Sequence, residues 1–410
     1  MKKLIGIAAV ALTLAASAFA EISFSLGTAF LMAPVASDGD RIRTVMQNPW
    51  GGALRIIDLG ISGKNEDETV GFSAAIRQNG DGTGPTIGDR VMAWWQPIDQ
   101  LKFAFGKFDG PDNELIEGNG DFGLWDWMRV AATCVPASGV FNGDDGIFDG
   151  KAGDGFMAFV MPVEGLKFVV NIPFIYYNKD GEEGEKKAQS HVTDAWHAYK
   201  YTMINAAYTI GDVGTIKAGW WFKSEEDDND NDYIGRLGVA FDLTAVENLY
   251  IALGAKFDFA DTDYANAKTD DMLSTARIAL NASYRIANRL TISLAGGVNI
   301  LKADDFDPVF GIGGGVSFDI TDALTVLADV RYHSSVKYTG ATKIETDDAL
   351  SFLVGIQYAF SSNVNVGIGF EGVTNGGGSS KNGSRLGLSD MPAANSDFMW
   401  AVPIRVSLSI

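Results

Sequence analysis

After residue 20 the chain alternates between apolar and polar side chains in one segment after another. Leu290, Ile292, Leu294, Val298 and Ile300 share one set of positions, and Arg289, Thr291, Ser293 and Asn299 share the other. Phe310, Ile312, Val316, Phe318 and Ile320 oppose Ser317 and Asp319 in the same way. So do Leu350, Phe352, Val354, Ile356, Tyr358 and Phe360 against Ser351 and Gln357. Side chains two positions apart share a face of an extended chain, so these segments read as strands with one apolar and one polar side. The pattern places strands near 21–31, 52–62, 69–78, 89–97, 100–109, 152–162, 165–176, 199–210, 214–223, 233–243, 248–259, 273–286, 288–300, 309–320, 323–333, 348–360, 363–372 and 398–410. That makes about 18, with 16 the other even count because the first four are the least regular. Few stretches carry a sustained 3.6-residue period, so little helix is expected.

The connections alternate as well. Ile286-Ala287-Asn288, Thr321-Asp322, Ser361-Ser362-Asn363 and Gly211-Asp212-Val213-Gly214 are short, and between them lie long polar stretches near 177–198, 224–232, 260–272, 334–347 and 373–397. Tight turns at one end and long loops at the other are the pattern of a membrane barrel. A soluble sandwich of this size would divide at a linker, and none is present; a β-helix would show short regular repeats, and none is evident. The N-terminus agrees with export. Met1-Lys2-Lys3 is basic, Leu4 to Ala16 is apolar, and Ala18-Phe19-Ala20 is a small-x-small cleavage site. Residues 1–20 are therefore expected to be a signal peptide, with 21–410 an all-β, transmembrane, antiparallel up-and-down barrel.

Composition narrows the chemistry. Formal charge is −20 over 410 residues, which argues against a nucleic-acid partner, since phosphates demand a basic surface. Cys134 is the single cysteine, so no internal disulfide or multi-cysteine zinc site is available. Asp227-Asp228-Asn229-Asp230-Asn231-Asp232 opens like a calcium loop, but Tyr233 replaces the turn glycine and Val239 the closing glutamate, so it reads as a solvated acidic loop. His191, His197 and His333 lie near no nucleophile motif, and Gly311, Gly313, Gly314 and Gly315 precede no helix that would bind phosphate. No enzyme, cofactor or metal site is expected.

The last segment is strictly alternate, with Phe398, Trp400, Val402, Ile404, Val406, Leu408 and Ile410 interleaved by Arg405, Ser407 and Ser409. It resembles the C-terminal strand that barrel-assembly machinery reads in bacterial outer-membrane proteins, although those strands usually end in an aromatic residue and this one ends in Ile410. Aromatics near strand ends (Tyr176, Tyr208, Phe222, Tyr284, Tyr332, Phe360 and Trp400) suit interfacial girdles. Taken over the mature chain, the architecture resembles the porins. The resemblance implies outer-membrane lipid as surroundings, passive diffusion of small hydrophilic solutes and ions, and a homotrimer, for which no face is legible. It also implies that the third long connection, 110–151, folds into the lumen. That stretch carries Asp112, Glu114, Glu117, Asp121, Asp126, Asp144 and Asp145; it lacks the porin Pro-Glu-Phe-Gly-Gly motif, for which Gly120-Asp121-Phe122-Gly123 is a loose echo.

Turning the more apolar side to lipid leaves Arg77, Arg90, Lys102, Lys167, Lys217, Arg236, Lys256, Arg277, Arg285, Arg331 and Arg405 facing inward as candidate pore-lining bases. Fewer acids face them: Asp58, Asp242, Asp258, Asp319, Asp329 and Glu371. The alternative role for these bases is strand-tying ion pairs, such as Arg331 with Asp329. A saccharide-selective channel would use Trp94, Trp221, Trp125 and Trp127 as solute contacts. A surface barrel without a channel, acting as an adhesin or structural protein, shares the same pattern.

Overall fold

The computed structural model describes residues 21–37, 42–47, 56–79, 86–108, 154–177, 189–191, 202–221, 225–226, 232–260, 274–301, 308–339, 343–346, 348–374 and 398–410. They form one closed antiparallel β-barrel of 18 strands. In chain order these are β1 (Glu21–Ser37), β2 (Ile42–Gln47 continued by Ile56–Lys64), β3 (Val70–Asn79), β4 (Thr86–Ile98), β5 (Leu101–Lys107) and β6 (Asp154–Val163). Next come β7 (Leu166–Tyr177), β8 (Met203–Ile210), β9 (Gly214–Trp221), β10 (Asp232–Leu243), β11 (Leu249–Ala260) and β12 (Ser274–Ile286). The ring is completed by β13 (Leu290–Leu301), β14 (Val309–Asp319), β15 (Leu324–His333), β16 (Ala349–Ser361), β17 (Val364–Thr374) and β18 (Phe398–Ala401 continued by Ile404–Ser409). Each strand pairs with its neighbours in sequence, and β1 closes on β18 from Gly27↔Ser409 to Met32↔Ile404. Closure gives both terminal strands a partner, which hydrocarbon surroundings require.

The even count resolves to 18 rather than 16. Departures from the alternation-based reading lie in short segments without a sustained period of two. β1 runs on to Ser37 and pairs there with Ile42–Gln47, and the expected polar loop 334–347 contains a hairpin of Val336–Thr339 with Lys343–Thr346. Backbone hydrogen bonds need no apolar periodicity, so such segments carry little signal.

The short connections gather at one end. At the turn between β12 and β13, Ala287 and Asn288 have φ of +48° and +57°, and Arg289 N donates to Ile286 O at 3.1 Å. Two consecutive left-handed residues give the turn whose twist matches a hairpin. β1 and β18 are tied at this rim, where Leu26 and Ile410 exchange backbone hydrogen bonds of 2.9 and 2.8 Å.

The wall is inverted relative to a water-soluble protein. On β13, Ile292 and Leu294 are 44% and 42% exposed on the outside, while Ser293 between them is 4% exposed on the inside. Val316, Phe318, Val354, Ile356, Ile368 and Phe370 extend the exposed apolar surface around neighbouring strands. Leaving each such side chain in water forgoes roughly 1.5–3 kcal/mol, so an apolar band of this extent is stable only against hydrocarbon. Aromatics border it at both rims: Tyr208, Tyr284, Tyr358 and Phe360 toward the short turns, and Phe174, Phe310 and Phe398 toward the long loops. Among the expected girdle residues, the side chain of Tyr176 and all of Phe222 lie outside the described set. Among the described residues, no helix is long and apolar enough to cross a membrane, which says nothing against crossing by strands.

Candidate functional site

The inner wall follows from register. Across β8 to β12, Ala207 faces Lys217, Lys217 faces Ala240, Gly238 faces Lys256, and Lys256 faces Arg277, all on the side opposite the apolar band. The same row of faces continues through Asn281, Ser293, Asp329, Arg331, Ser351 and Glu371, each buried.

Charges on this wall are organised in pairs. Lys217 Nζ lies 2.6 Å from Asp242 Oδ2, and Arg236 Nε donates to Asp258 Oδ1 at 2.7 Å. Lys256 Nζ approaches the other oxygen of Asp258 at 3.7 Å, and Arg331 Nε stands 3.7 Å from Asp329 Oδ1. Nearer the short turns, the more exposed Arg285 reaches over β13 to Asp319 at 3.0 Å, and Thr325 Oγ1 donates to the same carboxylate at 2.7 Å. Strand-tying pairs, the alternative role for inward bases, are thus formed by Lys217, Arg236 and Arg285, while Lys256 and Arg331 meet an acid two residues away on their own strand.

Small residues explain how long charged side chains become buried on the inside of a barrel. Lys256 sits opposite Gly238, Arg331 opposite Gly313, Asp329 opposite Gly315, and Arg405 opposite Gly367. Lys167 and Lys217 each face an alanine, Ala207 and Ala240. A side chain whose cross-strand neighbour is short has room to lie along the wall, where its charge meets partners on adjacent strands. Arg331 is accordingly only 1% exposed.

β4 to β8 present a different surface. Ala104, Phe108, Met157, Phe159, Val169 and Ala207 form a buried apolar cluster, with Met92 and Trp94 packed against it. Lys102 Nζ lies 5.2 Å from the Trp94 ring centroid and 5.1 Å from that of Phe159, and Lys167 Nζ lies 5.5 Å from Phe159. These are cation–π distances. Gly71 faces Trp94 directly, and a Cβ there would run into the indole, so glycine is what lets that ring lie on the wall. Assigning the more apolar side outward overlooked this patch because β6 and β7 are apolar on both sides. The unbroken run Phe156-Met157-Ala158-Phe159-Val160-Met161 is the signal that would have found it.

The remaining candidates divide plainly. Register places Asp58 opposite Arg77, and Arg90 opposite Ala75, on the inward row; their side chains lie outside the described set. Trp221 lies under the Arg236 guanidinium at 5.2 Å, on β9, whereas Trp94 is on β4, so the two indoles are not brought together. Asp112, Glu114, Glu117, Asp121, Asp126, Asp144, Asp145, Trp125 and Trp127 fall outside the described residues. Phe108 and Asp154, which border that stretch, are both buried. Among the described residues, no group of three or more metal-ligating side chains occurs.

No protein-family model matches the chain, and no curated protein matches it. Solved structures do. An anion-selective porin from Comamonas acidovorans superposes with a TM-score of 0.52 at 11% identity, covering 95% of this chain and 99% of that one. Salmonella typhi OmpF, in a complex with daunomycin, gives a TM-score of 0.50 at 9% identity over 95% of this chain and 97% of its own. At these identities the likeness is one of fold. The chain is an 18-stranded antiparallel β-barrel whose fold matches that of bacterial outer-membrane porins.

Proposed function

We propose that this protein is an outer-membrane channel through which small hydrophilic solutes and ions diffuse without energy coupling. One observation carries the reading: a closed barrel with an apolar outer band and a wall of charged side chains turned inward. Charges facing lipid would cost about 2–4 kcal/mol each near the midplane, and barrels of this strand number enclose a path. The reading takes residues 1–20 as an export signal removed before insertion, and 110–151 as a connection that folds inward and sets the width. Burial of Phe108 against Met157 and Phe159, at the start of that connection, supports the inward fold. Because the described charges are mostly paired, the field across the path is smaller than a count of bases against acids suggests. Deleting 114–147 should raise unitary conductance in a planar bilayer; an unchanged value would reject the inward fold.

A specific observation favours a second reading, a barrel without a conducting path: Arg331, Asp329 and Glu371 are almost wholly buried. Swelling of proteoliposomes in small sugars separates the two. Swelling supports the channel, and its absence with correctly folded protein supports a surface barrel.

A further inference from the structure

We propose that residues 375–397, the connection between β17 and β18, dock inside the barrel on the inner face of β16, β17, β18 and β1. That face is apolar and covered. Leu353, Val373, Met399, Ala401, Leu31 and Ala33 are each at most 1% exposed. Register puts them on the inward side: Leu353 faces Glu371, Glu371 faces Ala401, and Val373 faces Met399. Leu31 faces Arg405 across the closing seam. The outward side of the same strands is open, with Val354 48% and Phe370 38% exposed. Curvature of the wall does not account for the difference. Nearer the short turns on the same inner face, Gln357 on β16 and Asn365 on β17 are only half-buried. The cover is complete toward the long loops and thins toward the short turns, so it comes from the long-loop end.

Three connections join these strands to their neighbours at that end. Residues 38–41, between β1 and β2, are too few to cross a patch about 15 Å wide, taking about 4.8 Å per strand spacing. The connection between β15 and β16 pairs Val336–Thr339 with Lys343–Thr346 in a sheet of its own. Residues 375–397 are the third, and both of their ends spring from the patch: Val373 and Met399 belong to it, and Thr374 with Phe398 is the adjoining cross-strand pair. At about 3.3 Å per residue, an out-and-back path of this length spans the patch. Its composition suits an apolar seat, with Leu386, Leu388, Met391, Pro392, Ala393 and Ala394 in the half next to β18. Asn375-Gly376-Gly377-Gly378 at the β17 end supplies the permissive backbone that a reversal into the lumen needs. A solute passing β16 to β1 would meet this segment instead of the wall. That consequence rests on the channel reading, and the docking does not.

Thiol labelling tests the docking without reference to current. In a Cys134→Ser background, Val373→Cys and Met399→Cys report on the patch, and Gln357→Cys marks the more open part of the same wall. Each folded barrel in detergent is exposed to a charged, water-soluble maleimide. The patch cysteines should react about tenfold or more slowly than Gln357→Cys, and deleting 379–394 should remove most of that difference, while deleting 114–147 leaves it in place. The double variant Leu386→Asp, Leu388→Asp should also speed labelling of the patch, and it stands in for the deletion should that fail to fold. Compact migration of unheated sample on electrophoresis verifies folding of each variant. Protection that persists without the segment would overturn the proposal by making the wall its own cover. Protection lost only with 114–147 would overturn it by giving the seat to that connection, and fast labelling in the otherwise unaltered chain would overturn it outright. The expected labelling in a barrel that passes no current would keep the docking and remove the channel.

Discussion

Replacing Lys217 with methionine isolates the tightest ion pair of the inner wall. Lys217 Nζ and Asp242 Oδ2 are 2.6 Å apart, and each side chain is 6% exposed. At that separation the attraction is about 6 kcal/mol for an effective dielectric of about 20, against about 1.6 kcal/mol in water. Desolvation of both ions consumes much of that gain, so the intact pair contributes little net stability. Breaking it is another matter. Asp242 Oδ1 has no hydrogen-bond partner among the described residues, so removing the ammonium strands a buried carboxylate. The expected loss for Lys217→Met is about 3–5 kcal/mol, and adding Asp242→Leu should recover most or all of it. Urea unfolding in lipid vesicles, followed by tryptophan fluorescence and electrophoretic mobility, gives the four corners of the double-mutant cycle. A loss below about 1 kcal/mol for Lys217→Met is the figure for a solvated surface pair, and would refute the claim that this pair is shielded from water.

Three further outcomes follow from the same structure. Leu294→Arg on the outer band should cost about 2–4 kcal/mol of vesicle stability, whereas Ser293→Arg, turned inward opposite Gly315, should cost less than half as much. Ala287→Gly should stabilise the β12–β13 turn by about 1 kcal/mol, because Ala287 holds a φ of +48° that glycine adopts without strain; a loss in urea midpoint would count against it. Gly71→Val should displace the Trp94 indole, lowering stability by about 1–3 kcal/mol and altering the near-ultraviolet circular dichroism of the barrel.

Much of this barrel is legible in the order of its residues, and the parts that are not have identifiable causes. Alternation through Leu290 to Ile300 sorts Ile292 and Leu294 from Ser293, and the structure puts them on opposite faces of the wall. Alternation assigns a face but not a register. That Arg236 meets Asp258, 22 residues on, depends on how β10 slides along β11, and no local pattern encodes it. The aromatic patch around Phe159 escaped for a different reason: where both sides of β6 are apolar, period-two reading has nothing to separate. The pairing of Ile42–Gln47 with β1 escaped because Ile42-Arg43-Thr44-Val45-Met46-Gln47 shows no strict apolar–polar alternation. What the inward bases do was underdetermined until their partners were known. Lys217 in isolation reads as a free pore charge, and beside Asp242 it is half of a structural pair.

The account stands most directly on whether the charged interior is a path. Purified, folded protein added to a planar bilayer should insert in discrete current steps of small and uniform size. Folded, heat-resistant barrel that enters the bilayer and leaves it electrically silent would contradict the channel.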